Sequence, residues 1–191
     1  MRVQLRIVAG TLRGRKITCQ VGPGVRPTPQ MVREALFSIL GNAVPGRRFL
    51  DIFAGTGIVG LEALSRGAAE VVLVERDFRQ IHEIETHIRE LGVRDQVHLC
   101  RADAYRWAER WTAPDEPVTI FISPPFVDFQ HKLQELLLLI ADLQHKAAPA
   151  SVIVLQSEEK FDSGKLPRPG TWDERHYGRN ELLIWVKEGL E

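Results

Sequence analysis

The chain opens with Val3, Leu5 and Ile7 alternating with Arg2, Gln4 and Arg6, a period of two that predicts a half-buried strand. A glycine-containing turn over residues 9–16 and a return strand over 17–21 complete a small hairpin. Gly22 to Pro29 reads as a rigid loop. Thr28 is placed to cap the next helix, with Pro29 at its first position. Met31, Val32, Ala35, Leu36, Ile39 and Leu40 then recur at helical spacing until Gly41-Asn42 ends the run. From Arg47 apolar runs predict strands near 48–52, 70–75, 96–101, 117–122 and 151–156, and helical periodicity covers 58–66, 77–91, 103–111 and 128–146. Strands that alternate so regularly with helices imply a parallel sheet with right-handed crossovers. The end of the chain departs from this: Thr171 to Tyr177 and Glu181 to Lys187 flank the turn Gly178-Arg179-Asn180, a terminal antiparallel hairpin.

The predicted fold class is therefore α/β: Rossmann-like, a mostly parallel seven-stranded sheet with a C-terminal antiparallel hairpin and a small basic hairpin extension at the N-terminus. A parallel sheet closed by a reversed hairpin is the arrangement of class I methyltransferases rather than of dehydrogenases. The 191 residues suffice for one full core. We divide them at residue 28, into a basic hairpin and loop (1–28) and a main domain (29–191). Cys19 and Cys100 show neither a pairing pattern nor metal spacing, and the six histidines are scattered. A reducing, cytoplasmic setting and no metal are expected. The apolar stretch Leu133 to Leu143 is far shorter than the roughly 20 residues of a membrane span, so no membrane partner is expected.

Net charge is zero, but its distribution is uneven. Residues 1–48 hold nine Lys or Arg and one acid, Glu34; the remainder holds 16 bases and 24 acids. A basic arm on an acidic body fits a polyanionic partner, and it equally fits a solvated surface. Arg13, Arg15 and Lys16, at the hairpin tip, are the candidates for gripping nucleic-acid phosphates.

The stretch Asp51-Ile52-Phe53-Ala54-Gly55-Thr56-Gly57 ends a strand in a tight turn and a helix start. With Ile58-Val59-Gly60 it matches the dinucleotide fingerprint, and Glu75 ends the next strand twenty residues after Gly55. That places a carboxylate for ribose hydroxyls and marks an adenosine-containing ligand. Asp51 would repel a pyrophosphate but tolerates the ammonium and sulfonium of S-adenosylmethionine. The lone carboxylate of that cofactor suits a helix N-terminus. Arg26 and Thr28, in the preceding loop, are further candidate contacts. Asp103, before Ala104, is placed either to accept from an adenine amine or to cap the following helix. Ser123-Pro124-Pro125-Phe126 closes the fourth strand of the alternating region. Its prolines remove N–H donors and leave carbonyls to accept, and Phe126 offers a stacking face. Acceptors beside an aromatic plane suit an exocyclic amine on a flat base.

With these stretches the chain resembles the bacterial family of 16S ribosomal RNA guanine-N2 methyltransferases over nearly its whole length. The resemblance rests on Arg6-Ile7-Val8-Ala9-Gly10 with Arg13-Gly14-Arg15-Lys16, and on Arg26-Pro27-Thr28 with Val32-Arg33-Glu34-Ala35-Leu36-Phe37. It also rests on Asp51 to Gly57 with Gly60-Leu61-Glu62-Ala63-Leu64-Ser65-Arg66-Gly67, and on Pro124-Pro125-Phe126. It implies S-adenosylmethionine as cofactor and small-subunit ribosomal RNA, naked or in an assembling 30S particle, as substrate of a monomeric enzyme. One position departs. The family carries Asp or Asn before the two prolines, where that side chain and the next carbonyl accept from the target amine; this chain has Ser123. Serine is shorter and uncharged, and losing such an acceptor costs on the order of a hundredfold in rate. Asp128, five residues on, is a candidate substitute. The rival readings are an RNA-binding homologue with impaired or altered catalysis and, more weakly, a small nicotinamide-dependent dehydrogenase.

Overall fold

The computed structural model describes residues 1–22, 26–158 and 160–189. Part of the loop predicted before the first helix, residues 23–25, lies outside them. The N-terminal hairpin pairs β1 (Arg2–Arg6) with β2 (Lys16–Gln20), antiparallel. Then come α1 (Gln30–Leu40), β3 (Arg48–Ile52), α2 (Ile58–Ser65), β4 (Glu70–Glu75), α3 (Phe78–Leu91), β5 (Val97–Arg101) and α4 (Ala104–Arg110). The chain continues through β6 (Val118–Ile122), α5 (Phe126–His131), α6 (Leu133–Lys146), β7 (Val152–Ser157), β8 (Asp173–Tyr177) and β9 (Asn180–Val186). The main sheet has seven strands in the order β5-β4-β3-β6-β7-β9-β8. All neighbours are parallel except β7–β9 and β8–β9. Every residue of β6 is buried, as expected of a strand covered on both faces.

Alternation divides the core. Phe49, Val71, Phe121 and Val154 face one layer, which holds α1, α2, α3 and the N-terminal hairpin. Leu50, Ile120, Ile122 and Leu155 face the other, which holds α4 and α6. The hairpin buries Ile7, Ile17 and Cys19 in the first layer. Its loop wraps the end of α2: Thr11 N–H donates to the Ser65 carbonyl at 2.7 Å, and the Ser65 hydroxyl donates to the Ala9 carbonyl at 2.5 Å. Gly10 (φ 83°) is required there, because a Cβ would lie 1.7 Å from the Ser65 carbonyl oxygen.

Two local expectations are corrected. Helix α1 begins at Gln30, so Pro29, not Thr28, occupies its N-cap. Thr28 is buried and its hydroxyl donates to Gln156 Oε1 at 2.9 Å, a partner across the fold that outcompetes local capping. The helix predicted over 128–146 is two. Pro125 caps α5, so helix starts at Phe126, and the backbone breaks at Lys132 (φ −132°) before α6. The break keeps α5 at the strand ends while α6 lies along the sheet. Among the described residues no helix is long and apolar enough to cross a membrane.

Candidate active site

The order of the strands reverses its sense between β3 and β6, the place where open α/β sheets bind ligands. At that point the chain leaves β3 through Phe53, whose φ is 68°, a strained value for a bulky residue. Gly55 (φ 54°) and Gly57 (φ 74°) follow, and Gly57 caps α2. Gly60 lets α2 close on the sheet: a Cβ there would lie 2.3 Å from the Leu73 side chain. The turn is held by Glu75, whose Oε2 accepts from Gly55 N–H at 2.7 Å while Oε1 accepts from the Arg76 and Asp77 N–H groups.

A cavity of about 610 Å³ opens over this turn. Asp51, Phe53, Gly55, Thr56 and Glu75 line it from the β3 and β4 ends, and Arg26 and Thr28 from the loop before α1. Ala104 closes one side, and Ser123, Pro124, Pro125 and Phe126 form the wall beyond β6. Two expected residues are not on the wall. Gly57 lies behind it, at the helix cap. Asp103 caps α4, accepting from Tyr105 N–H at 3.1 Å, and pairs with Arg76 at 3.1 Å; Arg76 itself reaches the cavity. A larger hollow, about 850 Å³, lies elsewhere, between the end of α1 and β9, and none of the expected site residues lines it.

Asp51 is 1% exposed, and its Oδ2 accepts from Gly60 N–H at 2.9 Å. Burial pushes its carboxyl up to about 8; the Gly60 hydrogen bond opposes the shift and the Glu75 charge adds to it. A cation brought to that side of the cavity would favour ionisation. At the opposite wall the Pro124 carbonyl accepts no hydrogen bond from the described residues. Ser123 Oγ lies 3.4 Å from Gln156 Oε1, a long contact.

Sequence reasoning missed one residue of this wall, Gln156, and one that packs behind it, Tyr105. Gln156, buried on β7, takes Thr28 and Ser123 on its oxygen and donates to Asn180 at 3.0 Å. Tyr105 donates to Asp128 Oδ2 at 2.6 Å and holds the Phe53 ring edge-on at 5.5 Å. A polar Gln in a buried apolar strand was the available signal for the first; nothing in the sequence marked the second.

The hairpin cations are arranged as expected in part. Arg13, Arg15 and Lys16 are exposed, with Arg15 donating to the Glu90 carbonyl at 2.9 Å. Arg33, counted in the basic arm, is instead buried. It pairs with Glu62 at 3.1 Å and donates to the Thr28 and Arg6 carbonyls, both at 2.8 Å. Among the described residues, Glu174, His176 and Glu181 bring potential metal-ligating atoms within 4.8 Å of one another, on the terminal hairpin and off the cavity wall.

A seven-stranded sheet with a reversed final hairpin, and a glycine turn facing a Pro-Pro segment across the switch point, define a class I methyltransferase. The family described as Conserved hypothetical protein 95 matches residues 5–186, and the chain belongs to it and to its ribosomal RNA small subunit methyltransferase D members. The Escherichia coli K12 protein of that name is 32% identical over 169 residues, which is 88% of this chain and 81% of that protein. A solved Escherichia coli protein, the candidate methyltransferase yhhF, is 29% identical with a TM-score of 0.78, covering 98% of this chain and all (100%) of that one. A Thermus thermophilus 16S rRNA N2 G1207 methyltransferase, solved with AdoMet and guanosine, has a TM-score of 0.74 over 98% of this chain and 50% of its own. At 22% identity it supports the fold alone.

Proposed function

We propose that the protein transfers a methyl group from S-adenosylmethionine to the exocyclic N2 amine of a guanine in small-subunit ribosomal RNA. The observation that carries this reading is one cavity bounded by the glycine turn and two carboxylates on one side and by Ser123 to Phe126 on the other. The donor set fits the cofactor: N–H groups at the start of α2 suit its carboxylate, Asp51 its ammonium and Glu75 its ribose hydroxyls. Phe53 and Thr56 line the same side, Gly55 and Gly57 set the turn, and Ala104 with Asp103 behind it flanks the adenine end. Arg26 and Thr28 close the entrance.

Bound there, the cofactor supplies an electrophilic methyl on a sulfonium. The residues of this chain position the acceptor: the free Pro124 carbonyl and Ser123 face the amine, Pro125 fixes the backbone, and Phe126 stacks on the base. Holding the two reactants in line supplies most of the acceleration. Arg13, Arg15 and Lys16 hold the RNA backbone, with residues 1–28 acting as the RNA-contacting part. The substrate is naked RNA or an assembling 30S particle, in the cytoplasm, met by a monomer that uses no metal.

Transfer of labelled methyl to small-subunit RNA, naked and assembled, tests the proposal. Absence of transfer at saturating cofactor refutes the enzymatic reading and leaves the RNA-binding homologue. Calorimetry with S-adenosylhomocysteine against NAD separates the methyltransferase from the dehydrogenase.

A further inference from the structure

Ser123 departs from the Asp or Asn expected before the two prolines, and its hydroxyl points toward Gln156, whose oxygen already accepts from Thr28. The wall is nonetheless not without a charge. Asp128, in the first turn of α5, lines the same cavity as Ser123, Pro124 and Phe126 and is 4% exposed. Its backbone N–H donates to the Pro125 carbonyl at 2.8 Å, which ties its position to the Pro-Pro segment. Its Oδ2 accepts from the Tyr105 hydroxyl at 2.6 Å. Its Oδ1 takes no hydrogen bond from the described residues. Burial, and then the bond to Asp128, raise the Tyr105 pKa, so the phenol stays protonated and donates. The Lys132 ammonium lies 5.2 Å from the centre of that ring, and Phe53 meets its edge. The carboxylate is thus held from behind, with Oδ1 and the second lone pair of Oδ2 left for a ligand.

A buried carboxylate with so few hydrogen bonds is costly unless donors arrive from elsewhere. Resting on the methyl-transfer reading above, we propose that Asp128 is the anionic acceptor of the target base in this chain, filling the role that Ser123 leaves, with Tyr105 as its positioning residue. The base it matches is guanine, whose N1–H and N2–H donors lie side by side and fit one carboxylate. Adenine and cytosine each present a ring-nitrogen acceptor beside their amine, which a carboxylate repels. In the transfer, the N2 lone pair forms the new C–N bond and the C–S bond breaks with its electrons on sulfur. The displaced N2 proton passes to the Asp128 carboxylate and from there to water.

The experiment compares wild type with Asp128→Asn, Tyr105→Phe and the double variant Ser123→Asp/Asp128→Asn. Affinity for S-adenosylhomocysteine reports the cofactor side and should stay within about threefold in all of them, because none of these residues is proposed to touch the cofactor. Asp128→Asn, which keeps the shape and still accepts from Tyr105, should lower kcat on small-subunit RNA by about 100-fold. The double variant should recover at least about tenfold of that loss, because it returns a carboxylate to the amine. Tyr105→Phe should lower kcat by less than Asp128→Asn and leave KM for the cofactor unchanged.

A second readout does not depend on turnover. With S-adenosylhomocysteine bound, the wild type should prefer guanosine over 2-aminopurine riboside, which keeps the amine but lacks N1–H, by about tenfold. Asp128→Asn should lose that preference, which a merely structural role would not affect. The proposal is overturned if Asp128→Asn keeps both the wild-type rate and the guanosine preference. If the wild type binds cofactor but transfers no methyl, the proposed function fails, and the guanosine preference still decides the role of Asp128.

Discussion

Replacing Arg33 with Met removes a buried charge that donates three hydrogen bonds. Its guanidinium holds the Glu62 carboxylate on α2, the Arg6 carbonyl at the end of β1 and the Thr28 carbonyl before α1. Both partners of the pair are essentially unexposed, at 2% and 0% of the side chain. Removing one member of a buried pair costs about 3–5 kcal/mol, because the other charge is left behind. Here Arg66 still holds Glu62 Oε1 at 2.9 Å, which argues for the lower end, while two carbonyls lose their donors at about 1 kcal/mol each. The expected loss is on the order of 5 kcal/mol. In a chain of this size that lowers Tm by about 10–20 °C, read by calorimetry or by the urea midpoint. Arg33→Met/Glu62→Leu should recover at least half, since it removes the stranded carboxylate as well. A loss below about 1 kcal/mol for Arg33→Met, or a double variant less stable than the single, would refute this reasoning. S-adenosylhomocysteine affinity should also fall in the single variant, because Thr28 sits on the cavity wall.

Asp51→Asn should separate stability from binding. A carboxyl raised to about 8 costs the ligand-free protein stability as pH climbs from the ordinary carboxylate range toward 8. The Asn variant should therefore melt higher near neutral pH yet bind S-adenosylhomocysteine about tenfold more weakly. In the wild type that affinity should rise from about pH 6.5 to about pH 8 with release of a proton, a trend absent from the variant and checked by calorimetry in buffers of different ionisation enthalpy. Gly10→Ala forces a Cβ against the Ser65 carbonyl and should cost about 2–3 kcal/mol, seen as a lower Tm and faster proteolysis within residues 1–22. Changing Arg13, Arg15 and Lys16 together to Gln should reduce the salt slope of RNA binding by about 2, with cofactor affinity unchanged; an unaltered slope would place the RNA elsewhere.

Most of the fold was legible because the central strands are buried on both faces and the loops carry glycine and proline where the chain must turn. Strands β3 to β7 and helices α2, α3 and α4 lie within a residue or two of their expected bounds. The glycine turn, Asp51 and Glu75 were legible together because their spacing fixes them on adjacent strand ends. Periodicity assigns a residue to a face but not to a partner, and the corrections follow from that. Thr28 looked like a cap but found Gln156, 128 positions away. Arg33 was counted in the basic arm but is buried against Glu62. The break at Lys132 carried no glycine or proline to announce it. Asp128 was visible as a carboxylate, while its burial against Tyr105 depends on how α4 and α5 meet. The segments that gave the resemblance also gain a physical reason: the stretch ending at Gly10 meets Ser65, and Arg33 meets Glu62, so they form the latch between hairpin, α1 and α2.

Nucleoside mass spectrometry of small-subunit RNA, after incubation with the protein and saturating S-adenosylmethionine, tests the central claim most directly. The expected result is N2-methylguanosine as the new nucleoside, at one per RNA. Methylation of another base or another guanine atom, or no new nucleoside while S-adenosylhomocysteine binding is intact, would contradict it.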